Sequence, residues 1–115
     1  MRTVGGAHRG LGLWLAQRAS AVVMVIYLPV FLAYALAAGP LDYLAWRGLF
    51  APLAVKLASL LFAGALLLHA WIGLREVFID YVHPLILRIP LLFLFGVLYL
   101  GCMAWTADIL WSVAP

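Results

Sequence analysis

The chain has 115 residues, of which 69% are hydrophobic and 10% charged, and its mean hydropathy is +1.17, far from the balance of a water-soluble globular domain. The net charge of +3 lies mostly towards the N-terminus, which suits anionic lipid headgroups and gives no basis for nucleic-acid binding. The one cysteine, Cys102, lies in an apolar run, so an internal disulfide and a zinc site built on paired cysteines are both excluded.

The first thirteen residues carry Arg2 and Arg9 among several glycines. The apolar run after them is too long for a removable signal peptide and lacks a small-residue cleavage site, so none is expected. Ala19 to Ala38 gives 20 residues without a charge, and at 1.5 Å per residue such a helix crosses a hydrocarbon core of about 30 Å. Pro29 is expected to kink this helix and Gly39-Pro40 to end it. Leu57 to Leu74 supplies 18 further uncharged positions, with His69 as the one titratable side chain among them. Ile89 to Ala107 supplies 19 more, with Pro90 in the first turn, where its missing N–H costs little. The expectation is an all-α membrane protein: a single membrane domain over residues 1–115, with three transmembrane helices at about 16–38, 53–80 and 89–111.

Orientation follows from the seven lysines and arginines. Arg2, Arg9, Arg18, Arg75 and Arg88 fall on one side of the three spans, and Arg47 and Lys56 on the other. The positive-inside rule therefore puts the N-terminus and the second loop in the cytoplasm. Trp14, Tyr43, Trp46, Tyr81, Trp105 and Trp111 fall near span ends, at the headgroup level that amphipathic rings favour. There is no internal repeat, and three spans do not divide into the two halves common among transporters. Small residues four apart, Ala54 with Ala58 and Ser59 with Ala63, would let another helix approach the second span closely. Three helices with a polar site among them fit better as part of a hetero-oligomeric helix bundle than alone.

His69 lies about 5 Å to the cytoplasmic side of the middle of its apolar run. An unpaired imidazole in hydrocarbon costs several kcal/mol, so His69 must hydrogen-bond to a neighbouring helix or bind something. Neutral imidazole is a common axial ligand of haem iron, and with no second histidine in a span a bis-histidine haem would need its other ligand from a different polypeptide. The alternative is a hydrogen-bonded packing histidine.

If the helix runs past Leu74, residues 69, 73, 76 and 80 share one stripe, and Gly73 would leave room for a flat macrocycle one turn from the histidine. Pro84 disfavours helix just before it, so Asp80 to His83 are expected to form the closing turn. Asp80 and Tyr81 then stand at the membrane surface, roughly 18 Å along the axis from His69 for the tyrosine. A phenolic hydroxyl suits a quinone carbonyl, and a neighbouring carboxylate can orient it or relay protons; the plainer reading is an interfacial anchor beside a solvated acid. Arg18 either snorkels to the headgroups or offers its guanidinium fork to carboxylates such as haem propionates. Arg75, Glu76 and Asp108 read as interfacial charges, and His8 and His83 are given no ligand role.

The stretches His69-Ala70-Trp71-Ile72-Gly73 and Asp80-Tyr81-Val82-His83-Pro84, with the run Trp14-Leu15-Ala16-Gln17-Arg18-Ala19-Ser20-Ala21 before them, resemble the hydrophobic membrane anchor subunit of bacterial succinate dehydrogenases over nearly the whole chain. That resemblance implies a four-subunit complex in the bacterial inner membrane. A flavoprotein subunit carrying FAD oxidises succinate, and an iron-sulfur subunit passes electrons on. This chain and a second membrane anchor subunit of cytochrome b type hold haem b and ubiquinone. It further implies His69 as the haem iron ligand, Arg18 near the haem, and Tyr81 with Asp80 at the quinone. The pattern departs at Leu13, where some relatives place a histidine before the tryptophan aligned with Trp14. Against this stand a cofactor-free anchor or assembly protein and a small carrier that uses His69 for proton coupling.

Overall fold

The computed structural model describes the backbone over residues 2–114 and the side chains over residues 11–114; the side chains of Arg2, His8 and Arg9, used or set aside above, lie outside these. The order is α1 (Arg2–Ala37), α2 (Tyr43–Gly48), α3 (Leu53–Tyr81) and α4 (Leu85–Trp111), with no strand among the described residues. Three of these helices are long and apolar enough to cross a membrane: Leu11–Ala37 of α1, Leu53–Tyr81 and Leu85–Trp111. The fold is the all-α, three-helix membrane architecture that the hydropathy pattern implies.

Local chemistry accounts for each boundary. α1 runs through Pro29 as one helix, and beyond Ala37 the chain turns at Gly39, whose φ of 84° is open to glycine at no steric cost. α2 was not expected. Asp42 caps it, its carboxylate accepting a hydrogen bond from the Ala45 N–H at 2.8 Å. α3 begins after Pro52 and continues through Tyr81, with Val82 as its extended C-cap. Asp80 and Tyr81 therefore belong to the last helical turn, and the expected closing turn shrinks to Val82 and His83. Pro84 is extended and precedes α4, which starts earlier than its uncharged run suggests. Pro90 consequently lies inside α4, beyond the first turn.

α3 is the central helix. It packs on α1 along one side and on α4 along the other, and among the described residues α1 and α4 share no comparable packing. Apolar side chains cover the outward faces, from Val22, Val25 and Val30 on α1 to Phe93 and Leu100 on α4. In lipid no hydrophobic effect drives helices together, so close approach and polar contacts decide the pairing. At Gly64 a Cβ would come within 3.3 Å of Met103 Cε, and at Gly96 within 3.7 Å of the Trp71 ring, so glycine brings α4 up against α3. Towards α1, Tyr27 and Ser59 join hydroxyls at 2.7 Å, and the Tyr27 ring stacks on Phe62 at 4.4 Å. Ser59 is thus spent on α1, whereas Ala54 and Ala58 remain exposed. Interhelical hydrogen bonds of this kind are worth about 0.6 kcal/mol on average, so Tyr27–Ser59 fixes register more than it adds stability.

At the end of the bundle remote from His69, α2 and the loop after it fold back over α1. Phe31 stacks on Phe50 at 5.4 Å and meets Trp46 edge-on at 5.8 Å, while the Tyr34 hydroxyl donates to the Leu49 carbonyl at 2.9 Å. The residues after α4 are held by two cations: Lys56, only 5% exposed, donates to the Val113 carbonyl, and Arg47 to the Ser112 carbonyl at 3.1 Å. A buried ammonium is costly without an acceptor, and this carbonyl supplies one.

Candidate functional site

His69 lies on the face of α3 that meets α1, opposite Gln17 and Ser20. Those two residues are three apart, so they project from one face of α1. Ser20 is 4% exposed, and its hydroxyl is placed to donate back along its own helix, to the Gln17 carbonyl at 2.9 Å. Ser20 Oγ also stands 3.1 Å from His69 Nδ1, and the imidazole tautomer decides which of the two donates. With its hydrogen on Nδ1 the imidazole donates to Ser20 Oγ and keeps its lone pair on Nε2. Gln17 Nε2 stands 3.4 Å from that nitrogen, a long contact in which the amide can only be the donor.

This orientation of Gln17 has a cost. Its Oε1 is buried and has no partner, a deficit of about 1–3 kcal/mol for a polar atom out of water. The cavity beside it, about 420 Å³ in volume, is bounded by Leu13, Trp14, Gln17 and Arg18 of α1 and by Ile72, Gly73 and Glu76 of α3. Gly73 leaves open space where a Cβ would stand. The Arg18 guanidinium carbon lies 5.2 Å from the centre of the Trp14 ring, a cation–π contact with the residue one turn earlier. It keeps the guanidinium at the rim of this cavity.

Asp80 and Tyr81 occupy the last turn of α3. Asp80 falls about 20° from His69 around the helix and Tyr81 about 120° away, at roughly 18 Å along the axis. Both side chains are exposed, Tyr81 to 77%. The arrangement therefore sets Arg18 and Glu76 around one cavity, with His69 joined to its wall through Gln17, and leaves Tyr81 outside it. Among the described residues no three histidine, cysteine, aspartate or glutamate side chains cluster closely enough to hold a metal ion, so towards a metal His69 can act only as a single ligand. Gln17 and Ser20 are the participants that sequence reasoning left without a role. Their spacing on one face, at the N-terminal end of the first span, was the available signal.

Three membrane-crossing helices with one imidazole held between two of them define a multi-pass membrane subunit rather than a soluble catalyst. Comparison with known proteins narrows the class. Residues 1–107 match the profile of the succinate dehydrogenase/fumarate reductase transmembrane subunit. The chain is also 33% identical over 105 residues to the succinate dehydrogenase hydrophobic membrane anchor subunit of Coxiella burnetii (strain RSA 493 / Nine Mile phase I), an alignment covering 91% of each chain. The chain belongs to this family, as a membrane anchor subunit of the succinate dehydrogenase complex.

Proposed function

We propose that this anchor binds one side of a b-type haem through His69 Nε2, contributes Tyr81 and Asp80 to a ubiquinone site, and fixes the iron-sulfur and flavoprotein subunits to the membrane. The observation that carries the haem reading is the hydrogen-bond pattern at His69. Ser20 meets the ring at Nδ1, and among the described residues the hydrogen-bonding contact at Nε2 is the long one to the Gln17 amide at 3.4 Å, so Nε2 is the nitrogen suited to iron once that amide moves aside. The open Cβ space at Gly73 and the Arg18 guanidinium at the rim of the same cavity also fit a flat group with carboxylate arms. With a single histidine available here, the second ligand would come from a cytochrome b type membrane partner. A bis-histidine haem supplies a reversible one-electron store with no open iron position.

The residues of this chain would have separate tasks. His69 holds the iron from one side, Arg18 offers its fork to the propionates, and Gln17 must swing its amide off Nε2. At the end of α3 the Tyr81 hydroxyl donates a hydrogen bond to the quinone carbonyl and Asp80 orients it or passes protons on. The rival reading, in which His69 only joins α3 to α1, draws support from the same Gln17 contact. An absorption spectrum of the purified whole complex, oxidised and reduced, decides between them: sharp b-type bands on reduction are expected, and their absence would sink the haem reading.

On the arginine and lysine distribution, the end of the bundle with His69, Asp80 and Tyr81 faces the cytoplasm of a bacterial inner membrane and the C-terminus faces the other side. A C-terminal reporter active only in the cytoplasm should be silent, and an active one would reverse the assignment.

A further inference from the structure

We infer that Ser20 is a positioning residue for the metal-binding nitrogen of His69, setting its tautomer and ring orientation from a different helix. This rests on the haem reading above and adds a role for a residue that touches neither iron nor macrocycle.

The argument starts from how fully Ser20 is constrained. It is 4% exposed, so no bulk water competes for its hydroxyl. Its proton goes to the Gln17 carbonyl at 2.9 Å, the back-bond a helical serine makes to the preceding turn, and this fixes the side-chain rotamer. What the hydroxyl then presents to His69 is a lone pair, at 3.1 Å from Nδ1. The other tautomer, with hydrogen on Nε2, would set two lone pairs against each other at Nδ1 and would block the nitrogen that the haem reading assigns to iron. A neighbour that fixes the ring through one nitrogen also raises the electron density on the other, because an N–H that donates to an acceptor makes imidazole a better base. A more basic ligand favours the oxidised, more positive iron. The Ser20 acceptor therefore holds the haem potential below the value it would have without it.

The test compares two β-branched variants of nearly equal shape, Ser20→Thr and Ser20→Val, in the purified intact complex. Threonine keeps the hydroxyl and valine replaces it with a methyl. Haem content is read from the reduced spectrum, the midpoint potential from a redox titration, and the ligand-plane orientation from the electron paramagnetic resonance spectrum of the oxidised protein. Ser20→Val is expected to raise the potential, changing the reduced-to-oxidised ratio at a fixed poise by about threefold to tenfold, the scale of one neutral hydrogen bond; tenfold corresponds to about 59 mV for one electron. Ser20→Thr should stay near the parent value. Loss of haem in the valine variant alone would equally support the positioning role. Equal potentials and resonance spectra in parent, threonine and valine proteins would overturn it, as would equal haem loss in both variants, which would show that size and not the hydroxyl matters. If His69→Ala leaves the spectrum untouched, the haem reading itself has failed, and the two failures are thereby kept apart.

Discussion

Replacing His69 with alanine is expected to abolish or grossly alter the haem absorption of the complex, the largest single-residue effect this chain should show. The expectation follows from His69 being the one histidine within the three spans, His8 and His83 lying outside them. Alanine removes the nitrogen proposed to bind iron and also the partner of Ser20 Oγ and Gln17 Nε2. Some loss of α1–α3 cohesion should follow, although at about 0.6 kcal/mol per interhelical bond the loss is small beside the packing of two whole helices. Succinate oxidation with a soluble dye acceptor reports whether the soluble subunits remain assembled and active. Intact dye activity with a lost or displaced spectrum is the expected pair of results, and a parent-like spectrum would rule His69 out as a ligand.

Changing Tyr81 to phenylalanine should lower ubiquinone reduction by roughly 10-fold or more, the scale of a hydrogen-bond donor that acts in the transition state. On the proposed function a lipid-soluble quinone arrives through the membrane while the electron donors dock from the cytoplasmic side, so the two would meet near the interface where α3 ends. A quinone oxygen gains charge or protons as it is reduced, and a fixed phenolic donor stabilises that change more than it stabilises the starting ketone. Tyr81 is 77% exposed on the last turn, and phenylalanine keeps its ring and its helix, so packing within this chain should be undisturbed. Dye-linked succinate oxidation should stay near the parent rate. Parallel loss of both activities would mean failed assembly, and unchanged quinone reduction would leave Tyr81 an interfacial anchor.

The three long helices were legible because uncharged runs of membrane-crossing length leave few alternatives. Their ends were less so. Arg88 interrupts the apolar run without interrupting the helix, so α4 begins at Leu85 and not near Ile89, and Pro84 suppresses helix over only Val82 and His83. The six residues of α2 are too short to show a hydrophobic period, and only its Asp42 cap advertised it. At the site, the need of His69 for a partner could be read from burial energetics alone. Which partner it takes depends on the rotation of α1 and its register against α3, fixed by contacts such as Tyr27–Ser59 that join distant parts of the chain. The carbonyl acceptors of Lys56 and Arg47 near residue 113 were hidden for the same reason.

The pairing of α3 with α1 also bears on how the chain enters the bilayer. The histidine of α3 finds its hydrogen-bonding partners on α1, made earlier in synthesis, and not on α4, which follows. When His69 leaves the translocon, Gln17 and Ser20 are already in place to receive it, so the histidine of the uncharged run Leu57 to Leu74 need not wait in hydrocarbon for a helix still to be translated. Exchanging the order of the first and third spans would leave every residue of the pair present and reverse which of them arrives alone.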